Sequence, residues 1–131
     1  MSDFGSLVKT ADFKTEKHVP VIGAPDQAKA GDWFDASVAV GTEIRHPNTT
    51  EHFISWIELY FKPDNGAAIN LGRAEFTAHG ESVAGANQGV AYTDPRFATR
   101  IQLKSSGTLQ ALAYCNIHGL WQSAKAITIS A

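Results

Sequence analysis

Alternation of apolar and polar residues over short segments constrains this chain more than any other feature of its sequence. In the segment from Trp33 to Val40, every second residue from Phe34 onward is apolar, which is the period of a half-buried strand. Further segments with strand character cover residues 53–62, 69–77, 97–104, 108–114 and 123–129. Helical periodicity is scarce, so the sequence predicts an all-β chain.

The segment from Phe53 to Lys62 differs from the others because it is apolar on both faces. A strand of that kind lies in the centre of a sheet. Turn-forming sequences separate the segments, and the run from Pro63 to Gly66 is the strongest of them. Short strands joined by frequent turns predict an immunoglobulin-like antiparallel β-sandwich of about seven strands.

Length and charge limit the classes of protein that fit. A chain of 131 residues suits one domain with one core, and we expect residues 1–131 to form it. A net charge of −2 without a basic run argues against nucleic-acid binding. No apolar stretch approaches the roughly 20 residues that cross a membrane. The first residues do not resemble a secretory signal, so a cytoplasmic location is the default expectation.

The chain has a single cysteine, Cys115, and its single methionine is Met1. A disulfide within the chain is therefore impossible. Cys115 is a packed apolar side chain, a reactive thiol or a metal ligand.

Four of the five histidines lie next to turn or loop sequences. They are His18, followed closely by a proline, His46 and His52, which enclose a loop, and His118, three residues after Cys115. Loops at one end of a sandwich can converge, so these side chains can meet in space. The fifth, His79, lies in a turn that offers no second candidate ligand, and we interpret it as an ordinary polar residue.

The donor types narrow the choice of metal. Imidazole and thiolate together suit zinc, copper or iron rather than magnesium or calcium. Five donors are one more than a structural zinc ion uses, and a blue-copper site usually adds an axial methionine, which this chain lacks after Cys115. The residues alone leave three possibilities: an iron enzyme, a cupredoxin-like electron-transfer protein without enzymatic activity, and an immunoglobulin-like interaction module with incidental histidines.

Three segments resemble the signature sequences of the superoxide reductase family. They are Glu16-Lys17-His18-Val19-Pro20, His46-Pro47-Asn48-Thr49-Thr50-Glu51-His52 and Cys115-Asn116-Ile117-His118-Gly119. Their order and spacing match the family from about residue 12 to the end of the chain. The chain is similar to the one-iron form, neelaredoxin, since the four-cysteine domain of the two-iron form cannot be built with one cysteine.

This resemblance implies a mononuclear non-haem iron that reduces superoxide to hydrogen peroxide. It implies four equatorial ligands and an axial thiolate, which would be His18, His46, His52, His118 and Cys115. Glu16 would bind the open position of the ferric ion, and Lys17 would lie beside that position. Asn116 and Thr50 are candidates for hydrogen bonds to the sulfur or to the ligand imidazoles.

The electron for such a reaction must come from outside the chain, because the sequence contains neither a dinucleotide-binding glycine motif nor a P-loop. The resemblance suggests rubredoxin as the donor and a homotetramer as the assembly. Trp33 and Trp121 could serve a subunit interface, but we expect both in the core. Arg45, beside His46, is expected to be a solvated loop charge.

Overall fold

The computed structural model describes residues 3–131. This range contains eight strands in two sheets. A short 3-10 helix, Phe4–Leu7, precedes them. The strands are β1 (Val21–Gly23), β2 (Gln27–Lys29), β3 (Trp33–Ala39), β4 (Ile54–Pro63), β5 (Ile69–Glu75), β6 (Arg96–Gln102), β7 (Gly107–Cys115) and β8 (Gly119–Ser130). Within this range there is no α-helix, and none of the described segments forms a helix that could span a membrane.

The smaller sheet has the strand order β1-β3-β6, and the larger has the order β2-β8-β7-β4-β5. Neighbouring strands are antiparallel except β2 and β8, which are parallel. The predicted β-sandwich is therefore confirmed, with eight strands in place of about seven. The two strands that alternation did not reveal, β1 and β2, have only three residues each.

The core lies between the two sheets. Ile57 and Leu59 of β4 and Leu109 of β7 are fully buried there, and Val38 and Ile101 of the smaller sheet pack in the same cluster. Burying an aliphatic side chain of this size contributes about 1.5–3 kcal/mol. β4 lies between β5 and β7, so the central position predicted for residues 53–62 is confirmed.

The two tryptophans expected in the core behave differently. Trp121 is 9% exposed, as expected. Trp33 is 59% exposed, so its expected burial is wrong. Trp33 is the first residue of β3, and successive residues of a strand point to opposite faces. Phe34 packs against the core, which leaves Trp33 on the outer face.

Candidate metal centre

The predicted donor residues all lie where strands begin or end. They are His18, just before β1, His46 and His52, in the connection from β3 to β4, Cys115, the last residue of β7, and His118, in the turn between β7 and β8. Antiparallel pairing puts the start of β1 opposite the end of β3, and the start of β4 opposite the end of β7. The register therefore carries these loops to one end of the sandwich.

The four imidazole rings form a nearly square arrangement. Around the square, the centroid distances are 4.8 Å from His18 to His46, 4.6 Å from His46 to His52, 5.0 Å from His52 to His118 and 4.6 Å from His118 to His18. The diagonal from His18 to His52 is 6.2 Å. His118 Nδ1 lies 3.1 Å from His18 Nε2 and 3.2 Å from His52 Nε2, so these nitrogens point to a common centre.

Hydrogen bonds to the outer nitrogens of His18 and His46 fix which atom of these two rings faces that centre. His18 Nδ1 donates to Glu16 Oε1 at 2.6 Å, and His46 Nδ1 donates to the Pro47 carbonyl at 2.7 Å. Each Nε2 therefore presents its lone pair. Among the described residues, the buried Nε2 of His46 has no hydrogen-bond partner. A bound metal ion would satisfy this orphaned nitrogen.

Cys115 supplies the sulfur of the cluster and is fully buried. Its Sγ lies 3.7 Å from His118 Nδ1 and accepts a hydrogen bond of 3.3 Å from the His118 backbone N–H. The donor atoms of His18, His46, His52 and Cys115 all lie within 4.8 Å of one another. The structure thus brings four nitrogens and one sulfur into a single cluster.

Burial favours the neutral form of three candidate ligands, His18, His46 and His52. It is the main reason why the pKa of His46 falls to about 4, and it also lowers the pKa values of His18 and His52. The positive charge of Lys17 lowers all three pKa values further. Because metals bind the neutral imidazole, these rings are in the binding form at neutral pH.

The donor set limits the ion that fits. Nitrogen and sulfur donors favour iron, copper or zinc over magnesium or calcium. A square of four nitrogens does not match the tetrahedron that structural zinc prefers. The geometry by itself therefore admits an iron or a copper ion, with a position left for a further ligand in an octahedral arrangement.

Comparison with known protein families decides between iron and copper. The family model described as desulfoferrodoxin matches residues 10–124, a range that includes all five donor residues. This chain belongs to the desulfoferrodoxin family. The resemblance predicted from three sequence segments is confirmed, and the His/Cys cluster, in a desulfoferrodoxin, indicates a mononuclear iron site.

Individual members of the desulfoferrodoxin family are similar to this chain over nearly their whole length. Neelaredoxin from Megalodesulfovibrio gigas is 48% identical over 124 residues, 94% of this chain and 95% of that one. Superoxide reductase from Pyrococcus furiosus is 50% identical over 117 residues, 88% of this chain and 92% of that one. The structure of Archaeoglobus fulgidus neelaredoxin in the reduced form covers 93% of this chain and 98% of its own, with 50% identity and a TM-score of 0.86.

Glu16 lies against a candidate ligand in this desulfoferrodoxin. Its carboxylate accepts hydrogen bonds from the Nδ1 and the backbone N–H of His18, at 2.6 and 3.1 Å. The side-chain hydrogen bond with His18 lowers the pKa of Glu16, so the carboxylate is charged at neutral pH. Such a partner orients an imidazole and raises its basicity as a ligand. Lys17 is half-buried next to both residues.

Asn116 and Thr50 do not make the hydrogen bonds that we expected. Within residues 3–131, neither bonds to the sulfur or to a candidate ligand imidazole. Asn116 instead accepts from the Phe53 backbone N–H and donates to the Glu51 carbonyl, both at 2.9 Å. Thr50 Oγ1 donates to the Glu51 carboxylate. Asn116 therefore ties the turn between β7 and β8 to the residues on both sides of His52.

Two other residues discussed from the sequence lie outside the cluster. The side chain of Arg45 is exposed and lies 3.5 Å from the exposed Asp94, in keeping with a solvated loop charge. The ring nitrogens of His79 lie 3.0 Å from Asn48 Oδ1 and 2.8 Å from the Phe76 carbonyl oxygen, so neither faces the cluster, and its interpretation as a residue that does not bind the metal stays a prediction. It is nevertheless buried.

Trp121 is a neighbour of the centre that the sequence did not reveal. Its indole stacks on the His18 ring, with centroids 4.9 Å apart and planes at 14°. Its Nε1 donates to the His118 carbonyl at 3.3 Å, and the Lys9 ammonium lies 5.4 Å from the indole centroid. Its position three residues after His118 placed it near the site, but nothing local indicated the contact with His18.

Proposed function

We propose that this chain is a superoxide reductase of the one-iron type, in which residues 1–131 act as a single iron-binding domain. The observation that carries the proposal is the square of four imidazoles next to one buried thiol. It is supported by 50% identity to the superoxide reductase of Pyrococcus furiosus. The reaction is O2•− + e− + 2H+ → H2O2.

The proposed ligands are His18, His46 and His52 through Nε2, His118 through Nδ1, and Cys115 through Sγ. These residues would hold a ferrous ion that would supply one electron to superoxide, and the Cys115 thiolate would increase the electron density available for that transfer. The protein holds the donor atoms in place, and burial favours the neutral form of His18, His46 and His52.

Lys17 is proposed to attract the substrate. Superoxide is an anion, and the net charge of −2 does not favour its approach. A cation beside the centre can still dominate the local field. Lys17 is half-buried between Glu16 and His18, whose side chains bond to each other at the edge of the cluster, which supports a position beside the centre.

Glu16 is proposed to orient His18 through the 2.6 Å hydrogen bond. Its expected role as a ligand of the ferric ion requires the carboxylate to leave His18 and turn toward the metal. This second role stays a prediction.

The proposal includes a protein electron donor, for which rubredoxin is the candidate, and assembly into a homotetramer. Both come from the resemblance to one-iron superoxide reductases. The cytoplasmic location likewise stays a prediction.

Iron analysis combined with product stoichiometry tests the proposal. We expect one iron per chain, one peroxide formed per superoxide consumed, and a thiolate-to-ferric absorption band that disappears in Cys115→Ser. A protein without iron, or an iron protein that leaves superoxide unchanged, would refute the assignment. Bound copper with no reaction toward superoxide would support the cupredoxin-like alternative.

A further inference from the structure

His79 is a buried imidazole that the proposed reaction does not use. It is 3% exposed, and its ring stacks on Phe53, with centroids 3.8 Å apart and planes at 12°. Its Nδ1 lies 3.0 Å from Asn48 Oδ1. Phe53 directly follows His52, and Asn48 lies two residues after His46. We call residues 46–52 the ligand loop. The His79 ring contacts Asn48 inside this loop and Phe53 directly after it.

The surroundings of His79 are fixed by the sheets. Its Nε2 lies 2.8 Å from the Phe76 carbonyl oxygen, and the Phe76 backbone N–H donates to the Ser55 carbonyl of β4 at 2.9 Å. The amide of Asn48 is held on its other side, because Nδ2 donates to the Thr93 carbonyl at 3.0 Å. His79 thus connects the ligand loop to the edge of the larger sheet.

A second contact comes from the loop of residues 80–92. Asn87 has φ 63° and is the one non-glycine residue with positive φ in the described chain. Its Oδ1 accepts from the Thr50 backbone N–H at 2.8 Å, and its Nδ2 lies 3.3 and 3.4 Å from the Glu51 carboxylate oxygens. Asparagine tolerates this conformation better than most residues, and such a conformation persists where surrounding contacts hold it.

Burial does not explain this loop. Residues 81–88 are all exposed, and Val83 and Val90 project fully into solvent. Hydrogen bonds within the loop hold its shape, among them the one from the Gly89 backbone N–H to the Gly80 carbonyl at 2.9 Å. At its base His79 pairs with Tyr92. Asn87 carries its contacts with the ligand loop.

The outer nitrogen of His46 bonds to the Pro47 carbonyl within the ligand loop itself. This hydrogen bond orients the ring relative to its own loop and does not tie it to another element. The direction of the His46 ring therefore follows the path of the loop backbone. Residues that fix the path of this loop therefore also fix the positions of His46 and His52 in the square of four imidazoles.

We propose that His79 and Asn87 are positioning residues for the metal centre, which hold the ligand loop so that His46 and His52 face the metal. The inference rests on the iron site of the proposed function. Neither residue touches the metal or the substrate. Partners that orient metal ligands typically contribute 10–100-fold to metal affinity or activity.

Two substitutions test the contacts of His79 and those of Asn87 separately. His79→Phe keeps an aromatic ring against Phe53 and removes both ring nitrogens. Asn87→Gly keeps the positive φ at low cost and removes the side-chain contacts with Thr50 and Glu51. Asn65→Gly is the matched control, because Asn65 is exposed in the turn after β4, at the end of the sandwich away from the ligands.

Iron release and the ferric spectrum are the readouts, measured on the iron-loaded proteins well below their unfolding temperatures. We expect iron loss to excess chelator to be about tenfold faster in His79→Phe and in Asn87→Gly. We also expect a shifted charge-transfer band and altered ferric electron paramagnetic resonance in both variants. Asn65→Gly should behave as the wild type does.

The inference is overturned if both variants lose iron at the wild-type rate with unchanged spectra, even if their unfolding temperatures fall. Should His79→Phe not fold, the exposed Asn87→Gly decides alone. These readouts do not involve superoxide. A protein that binds iron but leaves superoxide unchanged would therefore refute the proposed function without affecting this result.

Discussion

The Oε1 atom of Glu16 lies 2.6 Å from the Nδ1 atom of His18, so two residues separated only by Lys17 form a carboxylate–imidazole pair at the edge of the square of four imidazoles. The pair fixes the proton on Nδ1 and directs Nε2 to the centre. The hydrogen bond lowers the pKa of the carboxyl group, which keeps the carboxylate ionised at neutral pH.

Removing this carboxylate should loosen the metal. We expect Glu16→Ala to lose iron to a chelator about tenfold faster than the wild type and to change the ferric absorption spectrum. The rate of iron loss from Glu16→Gln should lie between those of the wild type and Glu16→Ala, because the glutamine amide oxygen still accepts a hydrogen bond from His18. Equal rates of iron loss in all three proteins would contradict the orienting role.

Lys17 gives a prediction about rate rather than metal binding. Lys17→Ala should slow the bimolecular reaction with superoxide about tenfold at low ionic strength, the lower end of what focused charge provides. It should also flatten the dependence on salt, since screening has less charge to act on. Pulse radiolysis over a range of ionic strengths measures both effects.

Two variants control for this experiment. Lys17→Arg should keep most of the rate because it keeps the charge. Lys104→Ala removes a cation from the turn between β6 and β7, next to the start of β7 and away from the ligands, and should leave the rate unchanged. A Lys17→Ala rate equal to that of the wild type at every salt concentration would exclude the electrostatic role.

Most of the long strands could be predicted from the sequence because they alternate over several residues, and β4 because it is a long run that is apolar on both faces and is followed by a turn sequence. The short strands β1 and β2 could not, since three residues do not establish a period. The beginning of β8 was also missed. Leu120 and Trp121 form an apolar pair without alternation, directly after the turn that carries His118.

The candidate donor residues could be picked out from the sequence because histidine and cysteine are few and lie in loops or, for Cys115, at the end of a strand. Their supporting contacts could not be predicted in the same way. The stacking of Trp121 on His18 and the hydrogen bond between Asn48 and His79 join residues far apart in the chain. Such contacts depend on strand register, which one sequence does not reveal.

Trp121 should support the centre through its packing on His18. We expect Trp121→Ala to lower the free energy of unfolding by about 3–5 kcal/mol and to accelerate iron loss, because the His18 ring loses the surface against which it stacks. Trp121→Phe keeps an aromatic face and loses the hydrogen bond to the His118 carbonyl, so its cost should be smaller. Urea unfolding and chelator kinetics measure the two effects.

Trp56 provides the comparison for Trp121. It lies on β4 and stacks on Tyr114 of β7, with ring centroids 5.8 Å apart. Trp56→Ala should lower stability without changing the rate of iron loss. If Trp56→Ala and Trp121→Ala lose iron equally fast, the effect of Trp121 is general destabilisation and the proposed support of His18 is wrong.

Burial of His46 makes the stability of the metal-free protein depend on pH. The His46 pKa is about 4 in the folded chain, against an ordinary value of 6.5. Between these values the unfolded chain binds a proton that the folded chain does not, so the free energy of unfolding decreases as the pH falls from 6.5 to 4. At about 1.4 kcal/mol per pKa unit, the loss from His46 approaches about 3 kcal/mol, and the lowered pKa values of His18 and His52 act in the same direction.

Urea unfolding of the metal-free protein at several pH values should show this decrease, and His46→Gln should reduce it. A slope that is the same with and without the His46 imidazole would show that burial of this ring does not control the acid sensitivity.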